Sequence, residues 1–205
     1  APEPDTISFI RFYYRDSFMI HKTADVEEGA LIGNNTKIWH QGHVRKGAKL
    51  GENCILGKNV FVDSGVVIGN NVKIQNNVSV YDGVTLEDGV FIGPHTTFTN
   101  DVNPRAINID GTLKQGSDWK LSKTLVKKGA SIGAGSVILC NLTIGEFALI
   151  GAGSVVTKDV PSYGLAYGLP AKLVGYVCKC GKKLGDLSLK GKIRCDSCKS
   201  EIIIL

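Results

Sequence analysis

No stretch of the chain approaches the roughly 18 to 20 consecutive apolar residues that a membrane-spanning helix requires. The N-terminal segment "SFIRFYYRDSFMI" is broken by Arg11, Arg15 and Asp16, so it lacks the apolar core of a secretory signal, and a cytoplasmic location is expected. Long basic runs are also missing. The formal charge of +5 is spread over 205 residues, which permits phosphate-bearing partners without arguing for nucleic acid. Methionine occurs once, at Met19, just before the regular part of the chain. Residues 1–19 are read as an N-terminal extension or cap, with residues 1–18 either an upstream extension or expression remnant, or an authentic capping segment. Aromatic residues are scarce at 7%, and no helical period runs through the apolar positions.

What the chain does have is a beat of six. Ile20, Val26, Ile32, Ile38, Val44, Leu50, Leu56, Val62, Ile68, Ile74, Val80, Leu86, Ile92 and Phe98 follow one another at six-residue spacing without a slip. Two residues before most of them stands a small or β-branched side chain, such as Ala24, Thr36, Cys54, Val60, Val78 or Thr96. A short strand and a tight turn, repeated, place one large and one small side chain inward per repeat, so the pattern predicts an all-β solenoid. The 25 glycines, with Asn and Asp, fall in the turns ("IGNN", "LGEN", "YDG"), because these residues tolerate positive φ or hydrogen-bond their own backbone. One repeat alone cannot hide its apolar face; stacked repeats can.

The beat stops after Phe98 and resumes in another phase at Val126, Ile132, Ile138, Ile144, Ile150 and Val156. Residues 99–125 are therefore expected to be an excursion from the solenoid wall, of a length that usually carries function or is disordered.

The unbroken hexads, with "IGAGSVI" and "IGAGSVVTKDVPSYGLAYGLPAK", resemble the hexapeptide-repeat acyltransferases. That resemblance implies a left-handed parallel β-helix of eighteen residues per triangular coil. More narrowly, "KIWH", "IQNNVSVYDGVTLEDGVFIGP" and "FTNDVNPRA" are similar to nucleotide-sugar N-acetyltransferases acting on 3-amino sugars, of the UDP-2-acetamido-3-amino-2,3-dideoxyglucuronate type. The resemblance covers about residues 20–175, and implies an acetyl-CoA co-substrate, a nucleotide-sugar acceptor and a homotrimer with sites between subunits. "IGAGS" lacks the strand-to-helix context of a phosphate-binding glycine loop, so no dinucleotide site competes.

With eighteen residues per coil, positions eighteen apart stack about 4.8 Å apart. Gln41, Asn59, Asn77 and His95 then form one outward column at a corner, beside His40, Lys58, Asn76 and Pro94. If the excursion replaces a single hexad, Gly135 and Gly153 continue the first column and Ala134 and Ala152 the second. A corner that turns from polar and bulky to nearly side-chain-free suits a polar ligand low and a thin pantetheine arm higher up. By resemblance, Lys158 and Lys172 meet the nucleotide end of coenzyme A.

Many sugar O-acetyltransferases of this fold carry a His-Pro in the loop after "IGP", and that His is their general base; here the position is Asn103, followed by Pro104. An amine acceptor fits the loss. With a pKa near the α-amino value of about 7.7 to 8.0, it is partly neutral at working pH and needs no early deprotonation. The expected catalytic set is His95, taking or relaying the proton unless the thiolate leaving group does so, with Asn77 and Asn76 orienting the amine or the thioester oxygen. Asn100 and Arg105 are expected to hold the sugar or its phosphates; His40, Lys58, Asn59 and Tyr81 are further candidates for substrate contact. Asp82 serves the turn or the acceptor, and His43 packs or faces solvent.

After Gly175 the repeats end. Cys178-x-Cys180 and Cys195-x-x-Cys198 read as a four-thiolate zinc ribbon over residues 176–205, with strands around Lys190 to Arg194 and Glu201 to Leu205. Two disulfides would conflict with a reducing cytoplasm. A closed four-cysteine site leaves no position for chemistry, so the metal is expected to be structural. Cys54 and Cys140 lie within the repeats and read as small apolar residues. Two other functions compete. A zinc carbonic anhydrase on this solenoid would need three His ligands, and the chain has four scattered His without the matching strings. A non-catalytic scaffold or binding protein acting through its zinc ribbon is the second alternative.

Overall fold

In a computed structural model, residues 19–204 are described; the expected extension or cap, Met19 apart, lies outside them. Each repeat contributes a strand of two or three residues whose second or last side chain points inward. In Lys73–Ile74 the lysine is exposed and Ile74 fully buried. As far as Gly164–Gly168, strands one coil apart pair in parallel, so the chain winds into three sheets that form the sides of a prism and, with two later strands added to the first, number ten, seven and six strands. The first sheet begins at Met19–Ile20, the second at Asp25–Val26 and the third at Leu31–Ile32. Partners are eighteen residues apart, as in Lys73↔Phe91, except across the excursion, where Phe91 pairs with Ser131, and at the last parallel pair, where Leu149 meets Leu165.

The interior is a single stack of Ile, Leu and Val, with smaller side chains such as Ala48, Cys54, Val78 and Ala130 at the corners. Burying each large aliphatic side chain contributes about 1.5 to 3 kcal/mol. Most hydroxyls that enter this core are satisfied: Thr36 donates to the Gly51 carbonyl at 2.8 Å, and Ser154 to the Gly151 carbonyl at 2.6 Å, whereas the buried Thr124 hydroxyl has no partner among the described residues. In the upper coils the backbones approach so closely at one corner position that glycine is required there. At Gly133 a Cβ would collide with the backbone nitrogen of Ala152, which cannot retreat without breaking the coil above. Gly133→Ala is therefore expected to cost about 1 to 3 kcal/mol, read as a lower guanidinium midpoint at unchanged slope.

The excursion is shorter than the sequence suggests. Buried Thr124 already starts a strand, Thr124–Val126, paired with Val84–Leu86, so the departure spans 99–123. It is also internally tied, by an antiparallel bridge between Ile107 and Leu113 and by Ser122 N–H donating to the Asn100 carbonyl at 3.0 Å.

Parallel stacking ends with Gly164–Gly168. Ala171–Val177 returns antiparallel along it, and Lys183–Gly185 pairs antiparallel with that strand in turn. The first sheet thus runs from the solenoid into the cysteine segment. The expected division between residues 175 and 176 falls inside a strand that both parts share. The strands Gly191–Arg194 and Glu201–Ile204 make a separate hairpin, close to the expected positions.

Candidate active site on one edge of the prism

The turns joining the first sheet to the second define one edge. Gln41, Asn59, Asn77 and His95 occupy its left-handed position with φ of 57°, 60°, 58° and 60°, and Gly135 and Gly153 follow with 65° and 68°. Asn and His are among the side chains that tolerate this region, so the turn explains the residue types. Consecutive occupants are tied coil to coil. Asn77 N–H donates to the Lys58 carbonyl at 3.0 Å, His95 N–H to that of Asn76 at 3.1 Å, Gly135 N–H to that of Pro94 at 2.9 Å, and Gly153 N–H to that of Ala134 at 2.8 Å. The edge crosses the excursion without a break.

Its side chains form a hydrogen-bonded ladder on the exposed surface. Asn59 Nδ2 donates to Asn77 Oδ1 at 3.1 Å, and Asn77 Nδ2 lies 3.3 Å from His95 Nε2. In that sense of the ladder Nε2 accepts and the neutral ring carries its proton on Nδ1. Beside it, Asn76 Oδ1 accepts the Lys58 N–H at 2.8 Å, which commits the oxygen to the turn and leaves the amide nitrogen to act outward. His40 stacks on His21 with ring centroids 3.5 Å apart. Above His95 the wall is bare: nothing lies within 4 Å of the point where a Cβ on Gly135 or Gly153 would stand. Ala134 and Ala152 flank these glycines. The Gly168 N–H donates to Ser154 Oγ at 3.3 Å, which folds the turn after Tyr167 over the end of the column. Exposed Lys172 pairs with Tyr167 beside that turn.

Four other candidates lie elsewhere. Tyr81, Asn100, Arg105 and Lys158 follow strands of the second sheet and belong to its far edge, so that sheet separates them from the ladder. Tyr81 packs against Phe61 at 5.9 Å, Asn100 Nδ2 donates to the Asp82 carbonyl at 3.3 Å, and Arg105 Nη1 to the Pro104 carbonyl at 2.8 Å. Asn100 and Arg105 line a cleft of about 410 Å³ under the excursion. A larger one of about 700 Å³ is lined by Asn103, Trp119 and Lys120, and neither cleft includes a ladder residue. The Asn103 N–H turns back to Asp101 Oδ1 at 2.8 Å. His43 packs edge-on against Phe61 and reaches Glu27 Oε1 at 3.0 Å.

Sequence reasoning left two residues unassigned that line a cleft of about 300 Å³ on the ladder edge: Trp39 and Gln75, together with His40, Lys58 and Asn76. A signal was present. The corresponding residue in neighbouring coils is Gly57, Gly93, Gly133 and Gly151; between the end coils, which carry His21 and Tyr167, Trp39 and Gln75 are the residues that depart from glycine.

At the far end, the ligand atoms of Cys178, Cys180, Cys195 and Cys198 all lie within 4.8 Å of one another, and none is in a disulfide. Burial pushes the Cys178 thiol up to about 12, whereas Cys198, with the Ser200 hydroxyl 3.3 Å away and its backbone N–H alongside, is drawn down to about 6. Cys178 and Cys195 pack with Ile202 and Ile204 against Tyr163, Tyr176, Leu184 and Ile193. No helix among the described residues is long and apolar enough to cross a membrane.

A family model described as bacterial transferase hexapeptide (six repeats) matches residues 65–100, and one described as hexapeptide repeat of succinyl-transferase matches residues 47–82. The chain is 50% identical over 180 residues to the dTDP-3-amino-3,6-dideoxy-alpha-D-galactopyranose 3-N-acetyltransferase of Aneurinibacillus thermoaerophilus, covering 88% of this chain and 89% of the relative. Among solved structures it is similar to a hexapeptide-repeat-containing acetyltransferase of Vibrio cholerae complexed with acetyl coenzyme A, with 27% identity, a TM-score of 0.52, and coverage of 63% of this chain and 70% of that one. A UDP-N-acetylglucosamine acyltransferase from Bacteroides fragilis shares the fold at a TM-score of 0.63 and 20% identity, over 78% of this chain and 61% of its own.

Proposed function

The chain belongs to the hexapeptide-repeat N-acetyltransferases, and we propose that it transfers the acetyl group of acetyl-CoA to the 3-amino group of a nucleotide-linked sugar used for cell-surface polysaccharide. The observation that carries this reading is the 50% identity to a sugar 3-N-acetyltransferase over 88% of the chain, a match long enough to include the edge from His40 to Gly153. The edge supplies a matching chemistry. The pantetheine arm lies along Ala134, Gly135, Ala152 and Gly153, with Lys172 at the closed end, and delivers the thioester beside His95. Substrate carrying a neutral amine is oriented by Asn77 and by the free amide nitrogen of Asn76. Attack on the thioester carbonyl forms the C–N bond; the adduct then breaks its C–S bond and expels the thiolate. The proton leaving nitrogen passes to His95, or directly to the departing sulfur, which ends as the coenzyme A thiol. No early base is needed, which suits Asn103 in place of a loop histidine.

We further infer a homotrimer. Tyr81, Asn100, Arg105 and Lys158 share one edge, and the ladder occupies the neighbouring edge of the same chain. A closed ring of three subunits that packs these unlike edges together completes one site per interface, with the excursion of one protomer over the ladder of the next. The four cysteines are assigned a structural zinc. A tetrahedral ion with Zn–S of about 2.3 Å spaces its sulfurs about 3.8 Å apart, and Cys180 and Cys195 are already 3.8 Å apart. A thiolate-held zinc and an acetyl-CoA co-substrate both suit a reducing cytoplasm, where we place the reaction.

The test is an assay of thiol release from acetyl-CoA with dTDP- and UDP-linked 3-amino sugars and their 3-hydroxy counterparts. Stoichiometric thiol release with an amine, and little with the hydroxyl sugars, is the expected result. Absence of release with every amine would refute the reading.

A further inference from the structure

The acetyl-transfer chemistry uses the upper half of the edge and leaves its lower end without a role. There the chain exposes an aromatic surface. Trp39 is 39% exposed, its ring within 3° of parallel to that of His40 and 6.5 Å from it, and His40 in turn lies flat on His21. One coil later Gly57 forms part of the cleft floor, packed against the coil above, Lys58 stands exposed on the rim, and Gln75 with Asn76 forms the opposite wall. Lys73 points outward on the same sheet face. A flat π surface, then ammonium groups, then amides is the order of groups that recognises a base, a diphosphate and a sugar in sequence. Trp39 and His95 stand three coils apart, roughly 14 Å at the spacing between paired strands. A nucleoside diphosphate laid along the edge spans that interval and leaves its sugar amine at Asn77 and His95.

We propose that Trp39 is the stacking surface for the nucleobase of the sugar substrate, with Gln75 facing the base edge and Lys58 and Lys73 meeting the diphosphate. This subsite rests on the acceptor being a nucleotide-linked amino sugar, and adds the direction in which it lies. The acceptor enters with its base toward the N-terminal coils, and acetyl-CoA approaches from the C-terminal ones.

The sequence holds two tryptophans, so Trp119→Phe leaves Trp39 as the single indole. Titration of that variant with thymidine or uridine diphosphate is expected to quench its emission saturably, and inorganic pyrophosphate is not. In the otherwise native chain, Trp39→Ala is expected to raise the KM for the nucleotide sugar about tenfold, with the KM for acetyl-CoA unchanged and Trp39→Phe near normal. Three results overturn the proposal: nucleotide binding with no change in Trp39 emission, an unaltered sugar KM in Trp39→Ala, or loss of the oligomer in that variant, which makes Trp39 a subunit contact. Failure of the parent reading is distinguishable, because the unsubstituted chain would then acetylate no amino sugar at all.

Discussion

His95→Ala is expected to lower kcat by about 10²-fold or more, with the KM of each substrate within about threefold of the native value. The size follows from the loss of a positioned proton acceptor. The small KM change follows because binding is distributed along the edge, over Lys58 and the asparagines below and the glycine wall above. One complication is structural: His95 sits at φ 60°, where an alanine is strained. His95→Asn provides the control, since Asn tolerates that backbone and holds the same turn position one and two coils below, at Asn77 and Asn59. Melting of His95→Asn is expected near the native temperature while turnover remains low. Restored turnover in His95→Asn would assign the alanine defect to the turn and leave proton transfer to the departing thiolate.

The second large effect concerns the metal. Equilibrium dialysis is expected to find one zinc per chain, and Cys195→Ser to find none. In that variant, amide-exchange protection is expected to vanish over Gly191–Arg194 and Glu201–Ile204 while the parallel coils keep theirs. The hairpin has little else to hold it: its buried set is Cys178, Cys195, Ile202 and Ile204, and one of its few ion pairs, Lys192 with Glu201 at 2.7 Å, is exposed. Four-cysteine zinc sites commonly supply about 10 to 16 kcal/mol of apparent binding free energy, far more than so small a core provides. Unchanged protection in Cys195→Ser would remove the structural role of the metal.

The solenoid was legible because a coil forces its own period on the sequence, and fourteen apolar residues in step leave few alternatives. The ladder could be read across the excursion because the excursion stands in for one turn between successive strands, Thr97–Phe98 and Thr124–Val126, which keeps the order of the sides, so His95 meets Gly135. Placement around the prism was harder. Asn100 and Arg105 follow His95 closely in sequence, yet one strand, Thr97–Phe98, carries the chain across a whole side and sets them on another edge. Trp39 and Gln75 were hidden in a different way, since a large residue in a series of glycines shows its meaning only once the column is seen to open into a cleft. The pairing of Ala171–Val177 with both Gly164–Gly168 and Lys183–Gly185 depends on tertiary contacts that hexad counting does not register.

The central claim is that donor and acceptor meet on the Asn77, His95, Gly135 edge, and a crystal structure with coenzyme A and a dTDP-3-amino sugar tests it directly. The account predicts the sugar nitrogen within hydrogen-bonding distance of His95 or Asn77, the sulfur against Gly135, and the excursion of a neighbouring protomer across both. Either ligand seated instead in the cleft beside Trp119 and Lys120 beneath the chain's own excursion would contradict it.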